Sequence, residues 1–230
     1  ALARASDGTL YAGGAFQTFA GVASPGLVRL SADGARDDTF AIGSGIPGSE
    51  SVRALHLQSD GRLLVGGEFS SFGGVLTGPL VRLNTDGTRD TGFMPGGNAN
   101  FAVFTFLPLA QGGLAVGGRF TTLGGGERRG FAVISDNGQV NPVFDVGTGF
   151  TNGGNLGDVY ALAQLADGRL AVGGIFTHVN GVARNRFALL YASYEPAPVA
   201  TGSLSVVEVD PGVEITIQSG TTSTAYAYQW

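Results

Sequence analysis

Residues 52–93 read VRALHLQSDGRLLVGGEFSSFGGVLTGPLVRLNTDGTRDTGF, and the chain repeats this pattern along its length. Residues 103–144 carry the pattern again over the same length, another copy opens at Val159, and an earlier copy occupies residues 1–40. Copies that keep one spacing are typical of repeat architectures, in which each copy buries its apolar faces against its neighbours. The sequence therefore predicts an array of four stacked units.

Each copy begins with an apolar alternation, a turn and a second apolar alternation. The turn contains Asp-Gly in three copies and Gln-Gly in the other, at Asp7-Gly8, Asp60-Gly61, Gln111-Gly112 and Asp167-Gly168. Asp-Gly between two alternations indicates a tight β-hairpin, because the turn needs positive φ and glycine adopts it without a steric clash.

The second strand of every copy contains Gly-Gly-x-Phe. The glycine pairs are Gly13-Gly14, Gly66-Gly67, Gly117-Gly118 and Gly173-Gly174, and the phenylalanines are Phe16, Phe69, Phe120 and Phe176. Glycine inside a strand indicates a bulge or a close approach of neighbouring backbone. We expect the glycines to lie where backbones crowd, and each phenylalanine to be buried.

A third strand and a second turn follow in the first three copies, and the turn region carries acidic residues. These are Asp33 and Asp37 in the first copy and Asp86 and Asp90 in the second, whereas the third has asparagines. The spacing lacks the alternate oxygen ligands and the terminal glutamate of an EF-hand loop. Asx turns, in which the side chain accepts a backbone N–H bond, are the favoured interpretation, and calcium stays open as an alternative.

These motifs resemble the bacterial delta-60 repeat. The resemblance rests on Asp-Gly-[Arg/Lys]-Leu-x-Val-Gly-Gly-x-Phe at residues 60–69 and on Arg-Leu-x-x-Asp-Gly-x-x-Asp-x-x-Phe at residues 82–93, and it covers roughly residues 1–193. It implies blades of a β-propeller-like domain in a large secreted or surface protein. The motifs specify the architecture and say little about activity.

Composition excludes several classes of function. The net charge is −5 with scattered acidic residues, which disfavours nucleic acid and anionic membranes as partners. There is no cysteine, and no apolar run reaches the ~18 residues that span a bilayer. The two histidines, His56 and His178, lie in different copies, so a histidine-based metal or catalytic site is not predicted.

The predicted domains are a repeat region, a linker and an incomplete module. The repeat region is 1–193, with copies at 1–40, 52–93, 103–144 and 159–193, followed by a Pro/Ala-rich linker at 194–202 and a module at 203–230. In that module PGVEITIQSG followed by AYAYQW is similar to strands B and C of bacterial immunoglobulin-like domains, which places Trp230 in a core.

We therefore predict an all-β fold, a β-propeller or propeller-like array of four blades followed by a few Ig-like strands. The predicted function is a non-enzymatic extracellular or cell-surface module for adhesion, scaffolding, or glycan or protein binding, with no cofactor. A structural subunit of a filament or surface layer is the alternative, and a propeller-type hydrolase or lyase ranks last. Expected partners are other domains or copies of the same protein at open β edges, such as that near residues 1–5.

The connectors between copies are the predicted ligand-binding region. They lie at 41–51, 94–102 and 145–158, differ in length and follow the same strand each time, so we expect them on one face of the array. Amides and an exposed aromatic ring suit a sugar. The candidate residues are Phe150, Asn152, Asn155 and Asp158 in the last connector and Asn98, Asn100 and Phe101 in the middle one.

Overall fold

The computed structural model describes residues 1–94 and 96–191, and all regular structure in these ranges is β-strand, as predicted. None of the described segments forms a helix that could cross a membrane. The predicted linker at 194–202, the Ig-like strands at 203–230 and the last residues of the fourth copy lie outside the described residues.

Four three-stranded antiparallel sheets follow one another along the chain, and each sheet is one copy of the repeat, here called a blade. The first blade contains β1 (Leu2–Arg4), β2 (Leu10–Gly13), a small hairpin of β3 (Thr18–Phe19) and β4 (Val22–Ala23), and β5 (Leu27–Leu30). The second contains β6 (Ser51–Leu57), β7 (Leu63–Glu68), the hairpin strands β8 (Ser71–Phe72) and β9 (Val75–Leu76), and β10 (Leu80–Leu83).

The third and fourth blades repeat this order. The third contains β11 (Val103–Pro108), β12 (Leu114–Gly118), the hairpin strands β13 (Thr122–Leu123) and β14 (Gly126–Glu127), and β15 (Phe131–Ile134). A further hairpin, β16 (Phe150–Asn152) and β17 (Asn155–Leu156), precedes the fourth blade of β18 (Asp158–Gln164), β19 (Leu170–Ile175), the hairpin strands β20 (His178–Val179) and β21 (Val182–Ala183), and β22 (Phe187–Leu190). In every blade the second strand is the central one.

The predicted turn between the first two strands is a hairpin, but it is wider than a two-residue turn. In the first blade Arg4 pairs with Leu10, and Asp7 Oδ1 accepts the Thr9 N–H at 2.9 Å. Gly8 has φ +94°, as the Asp-Gly motif predicts. True two-residue turns with positive φ at both positions close the small hairpins instead, for example at Gly73-Gly74.

In the second, third and fourth blades the second glycine of the Gly-Gly pair makes room for a bulge in its own blade. The pairing of β6 with β7 shifts between Val52 and Ala54, so Arg53 is the extra residue. A Cβ atom on Gly67 would lie 2.1 Å from the Ser51 carbonyl oxygen, which is too close for any side chain. The predicted bulge is therefore confirmed, and it recurs at Phe104 in the third blade and Tyr160 in the fourth.

The first glycine of the pair makes room for the next blade in the first three blades. A Cβ atom on Gly66 would lie 2.7 Å from Val103 Cγ1, the opening valine of the third blade. Gly13 meets Val52, and Gly117 meets Val159, in the same way. Three apolar cores result, one between each pair of consecutive blades.

The phenylalanines of Gly-Gly-x-Phe face the preceding blade. Phe69, Phe120 and Phe176 are buried in the three cores, as predicted. Phe16 is only half-buried, so the prediction is wrong for the first copy. The reason is that no preceding blade is present among the described residues to cover its ring.

The motif of the second turn links consecutive blades through an arginine. Arg29 Nε donates to Asp37 Oδ2 at 2.8 Å, and its guanidinium lies 4.7 Å from the centre of the Phe40 ring. Arg29 Nη1 also donates to the Thr85 carbonyl of the second blade at 2.5 Å. We call this arrangement the arginine link.

The second blade forms the same link to the third. Arg82 Nε donates to Asp90 Oδ2 at 2.9 Å, its guanidinium lies 4.7 Å from the Phe93 ring centre, and Nη1 donates to the Asp136 carbonyl. The predicted Asx turns are confirmed beside it, since Asp90 Oδ1 accepts the Gly92 N–H at 2.9 Å. The third blade has Val133 at the arginine position and forms no such link.

The connectors between blades occupy equivalent positions, as predicted. Each lies against the small hairpin of the next blade and accepts an N–H bond from its tip: Gly45 O from Gly73, Gly97 O from Gly124, and Gly149 O from Asn180, at 2.8–2.9 Å. The first strands of consecutive blades contact one another in chain order, so the blades form one progressive array with the connectors on one side.

Candidate binding cleft between the second and third blades

A cleft of about 380 Å³ opens where the middle connector passes between the second and third blades. Its charged side chains are Glu50 before β6, Glu68 at the end of β7 and Arg119 just after β12, and the connector adds Asn100 and Phe101, so four separate segments meet here. The packing of one blade on the next brings these segments together, so the cleft belongs to the array and to no single repeat.

Phe101 presents an aromatic ring at this cleft, with 56% of its surface exposed. Its neighbour Asn100 fixes the connector to the third blade. Asn100 Oδ1 accepts the N–H groups of Thr121 and Thr122 at 2.9 and 3.1 Å, and its Nδ2 donates to Thr121 Oγ1 at 2.6 Å. The ring is therefore carried on a connector that is anchored by three hydrogen bonds beside it.

Two carboxylates stand on the second-blade side of the cleft. Glu50 accepts the Ser70 N–H at 3.1 Å and its hydroxyl at 2.9 Å. Glu68 Oε2 accepts Arg53 Nη2 at 2.6 Å and Nε at 3.0 Å. A carboxylate has about four lone-pair sites, so both groups keep the capacity to accept further hydrogen bonds.

Arg119 stands on the third-blade side and is bound to the fourth blade. Its Nε donates to Asp158 Oδ1 at 2.7 Å, its Nη2 donates to the other oxygen, and the Tyr160 hydroxyl donates to that second oxygen at 2.8 Å. Half of the Arg119 side chain is nevertheless exposed, because only one edge of the guanidinium faces Asp158.

The charges of this group are set by its contacts. Burial raises the pKa of Asp158, but hydrogen bonds from Arg119 and Tyr160 outweigh burial, so the pKa lies below its ordinary value. The hydrogen bond to Asp158 raises the pKa of Arg119 and, likewise, the pKa of Tyr160. Arg119 is thus a fixed cation beside the cleft.

The bulged residues of the first strands add an aromatic strip next to Arg119. The rings of Phe104 and Tyr160 have their centres 4.8 Å apart, and the Arg119 guanidinium lies 6.0 Å from the Phe104 centre. Because the bulge places one extra residue in the strand, these side chains leave the alternation of the blade face. The strip therefore continues the cleft surface towards the fourth blade.

The structure separates the predicted middle-connector residues by role. Asn100 and Phe101 lie at the cleft, whereas Asn98 is used within the fold, donating to the Thr77 carbonyl at 2.8 Å and to that of Leu80. These two carbonyls flank the end of β9 and the start of β10, so Asn98 holds the connector to the second blade.

The structure buries two of the four residues that the sequence predicts as ligand-binding in the last connector, Phe150 and Asp158. The expectation that Phe150 is exposed is wrong, because its ring is fully buried and packs edge-on against Phe176 with centres 4.9 Å apart. Asn152 and Asn155 pair with each other across the β16–β17 hairpin, and Asp158 is buried in its ion pair with Arg119. The binding assignment of Asn152 and Asn155 stays a prediction.

Sequence reasoning missed Glu68 and Arg119. Both occupy the variable position of Gly-Gly-x-Phe, where the first and fourth copies carry Ala15 and Ile175. The variation at this one position could have indicated a functional site. Packing keeps the glycines and the phenylalanine on either side of it constant, whereas the position itself is free to differ between blades.

Metal-binding groups are absent from residues 1–94 and 96–191, in the sense that no three His, Asp or Glu side chains converge there. The second carboxylate of each second turn is engaged by arginine: Asp37 pairs with Arg29, and Asp90 with both Arg82 and Arg62. The first carboxylate accepts bonds within its own turn, Asp33 from the Ala35 N–H and Asp86 from the Thr88 N–H.

The two histidines lie in separate blades. Burial lowers the pKa of His56, with Asp136 acting in the opposite direction. His178 lies in the fourth blade's small hairpin, with Nδ1 2.9 Å from Thr177 Oγ1.

Comparison with known families supports the blade assignment. The chain is similar to a family described as a domain of unknown function (DUF5122) beta-propeller, whose model matches residues 5–40, 58–93 and 165–191. These segments fall in the first, second and fourth blades. The third blade, with Gln111-Gly112 at its first turn and Val133 at the arginine position, is not matched.

Among solved structures the chain is similar to a protein of unknown function from Bacteroides caccae, with 16% identity and a TM-score of 0.39. The similarity covers 75% of this chain, and the chain spans about half of that protein, 51%. No curated protein matches the chain.

Proposed function

We propose that the chain is a non-enzymatic extracellular or cell-surface binding module and that the cleft between its second and third blades binds a glycan. The observation that carries the proposal is the half-exposed Phe101 ring in one cleft with Glu50, Glu68 and Arg119. The resemblance to repeats of secreted and surface proteins supports the location. A glycan exposed on a cell or matrix is a ligand that such a protein encounters.

The chemistry of the cleft suits a sugar. A pyranose presents hydroxyl groups that donate and accept hydrogen bonds, and one face made of C–H groups that packs on an aromatic ring. Glu50 and Glu68 supply acceptors, and Arg119 supplies N–H donors on the opposite side. Phe101 supplies the flat apolar surface, and the anchored connector limits the entropy lost on binding.

The binding role is preferred to catalysis because of how the polar groups are used. Glu68 and Arg119 are each paired with a structural partner, Arg53 and Asp158. Neither histidine lines the cleft. A hydrolase or lyase needs an acid or base that can exchange a proton with a substrate, whereas recognition needs fixed donors and acceptors.

Glycan-array screening of the wild-type chain tests the proposal, followed by titration of any glycan that binds. We expect Phe101→Ala to weaken binding by about tenfold or more, and Glu68→Gln to weaken it by a smaller factor, because one removes the stacking surface and the other a charged acceptor. Leu76→Ala is the matched control, since Leu76 is an exposed apolar residue on the small hairpin of the second blade, outside the cleft.

Two results would contradict the proposal. One is a wild-type chain that binds no glycan on the array. The other is glycan binding that Phe101→Ala leaves at wild-type strength while the variant remains folded by circular dichroism. Recovery of a cleaved glycan from the incubation would replace the binding role with a hydrolase or lyase.

A further inference from the structure

Within the part of the chain that the structure describes, the first and the last blade each expose a face that is buried between blades elsewhere. The outer face of the fourth blade carries Gly173, Phe187 and Leu189, on the side away from the third blade. The outer face of the first blade carries Leu2 and Arg4, on the side away from the second blade. We call these the fourth-blade outer face and the first-blade outer face.

The fourth-blade outer face has the composition of a buried interface. Phe187 is 56% exposed, whereas its equivalents in the other blades, Leu27, Leu80 and Phe131, are at most 1% exposed. Leu189 is 37% exposed, and its equivalent Val133 is 3% exposed. Phe187 is apolar like all three of its equivalents, and Leu189 is apolar like Val133 of the third blade, whereas the first two blades have Arg29 and Arg82 at that position. No covering blade is present among the described residues.

Gly173 is equivalent to three glycines that each contact a valine of the next blade, but Gly173 makes no such contact among the described residues. At Gly13, Gly66 and Gly117 an added Cβ would lie 2.4–2.7 Å from a valine of the next blade. At Gly173 the nearest atom to such a Cβ is 3.8 Å away and belongs to Ala161 of the same blade. Among residues 1–94 and 96–191, no atom of another blade fills this recess.

Leu2 on the first-blade outer face occupies the matching position. By strand register it is equivalent to Leu55 and Phe106, which both pack against the first glycine of the preceding blade. Phe106 Cζ lies 2.8 Å and Leu55 Cδ1 3.4 Å from where that glycine's Cβ would stand. Leu2 is 77% exposed, so it is a side chain that lacks its recess.

The polar rim of the two faces is complementary as well. At the interface of the third and fourth blades, Gln164 Nε2 donates to Gln111 Oε1 at 2.8 Å. The equivalent positions across a contact between the two outer faces are Arg4 and Asp167, which carry opposite charges. Arg4 is exposed, and Asp167 is half-exposed beside Arg169.

We propose that the fourth-blade outer face binds the first-blade outer face of a second copy of this chain, with Leu2 against Gly173 as Leu55 packs against Gly13 and Phe106 against Gly66. The contact is heterologous, so it either closes into a ring of copies or continues as an open series. Two copies carry twice the four blades of one chain, about eight, which is the upper end of the usual propeller range. The proposal is independent of the glycan cleft, which lies at the second and third blades.

Sedimentation equilibrium over a concentration series tests the association. The wild-type chain is expected to self-associate, and Phe187→Asp is expected to raise the dissociation constant by about tenfold or more, because it places a charge in the contact. Leu76→Asp is the matched control, since it adds the same charge to an exposed apolar residue away from both outer faces. Circular dichroism establishes that both variants are folded.

A charge exchange tests the orientation. Arg4→Asp and Asp167→Arg should each weaken association, and the double variant should restore it, because the two residues face each other only in a head-to-tail contact. A wild-type chain that is monomeric at all concentrations overturns the proposal. This includes a monomer in which another part of the same chain covers Phe187 and protects that region from hydrogen exchange. Association that Phe187→Asp leaves unchanged, or a double variant no stronger than the single ones, overturns it equally.

Discussion

At the scale of single residues, the glycines explain why the repeat is so regular. In the first three blades a valine of the next blade occupies the space that a Cβ on the first glycine would need, as Val103 does at Gly66. Neither Gly66 nor Gly173 has positive φ, so alanine is allowed there by the backbone. The two positions differ only in whether a blade covers them, and this makes them a matched pair.

Gly66→Ala should destabilise the fold by about 1–3 kcal/mol, since the added methyl group forces Val103 and Phe106 to move. Gly173→Ala should change the free energy of unfolding by less than about 0.5 kcal/mol, because its methyl group meets no close neighbour. Chemical denaturation at low protein concentration, where copies do not associate, measures both. Equal losses at the two sites would show that strand propensity, and not the neighbouring blade, explains the glycine.

The partial burial of His56 predicts that stability depends on pH near neutrality. Burial lowers its pKa below the unfolded value of 6.5, although Asp136 partly offsets burial. The unfolded chain therefore binds the proton more readily, so this contribution is complete above pH 6.5 and is lost as the pH falls through the lower folded value. The equivalent residue in the third blade is Leu107.

His56→Leu is expected to flatten the dependence of unfolding free energy on pH between about 7 and 5, as urea denaturation at several pH values would reveal. His178→Leu, on the small hairpin of the fourth blade, is the control. A wild-type chain that becomes more stable over this acidic range would mean that the Asp136 charge outweighs the burial of His56.

At the scale of elements, the sequence predicted the features that recur within each blade, and it missed the contacts that form only between blades. Hairpins, bulges and Asx turns were predictable because each depends on residues that are close in sequence and present in several copies. The arginine link was visible only as a motif, since its Thr85 and Asp136 acceptors lie in the next blade. Phe150 was misjudged because connectors do not repeat, so no column of equivalent residues indicated its burial.

The arginine link can be tested against the solution that the third blade uses, Val133 with Asn141. Arg82→Val should cost about 2–3 kcal/mol, because it leaves Asp90 and the Asp136 carbonyl short of a charged donor. Adding Asp90→Asn, which recreates the third-blade pair, should recover part of that loss. A double variant that is less stable than the sum of the two single changes would contradict the link, and denaturant titration of all four proteins completes the cycle.

At the scale of the whole molecule, every core lies between two blades, so stability is shared along the array. The same stacking creates the cleft, because Glu68 and Arg119 belong to different blades and meet only when these pack together. No property of either repeat alone predicted that site. The sequence was enough to predict that the connectors lie on one face. The cleft could not be predicted, because it depends on how far apart the packed blades hold Glu68 and Arg119.

Isothermal titration calorimetry with a glycan identified on the array is the decisive measurement of whether the cleft beside Phe101 binds a glycan. We expect binding by the wild-type chain and by Leu76→Ala, and an affinity lower by about tenfold or more for Phe101→Ala. Equal affinity of the wild type and of folded Phe101→Ala for that glycan would show that the cleft is not the binding site.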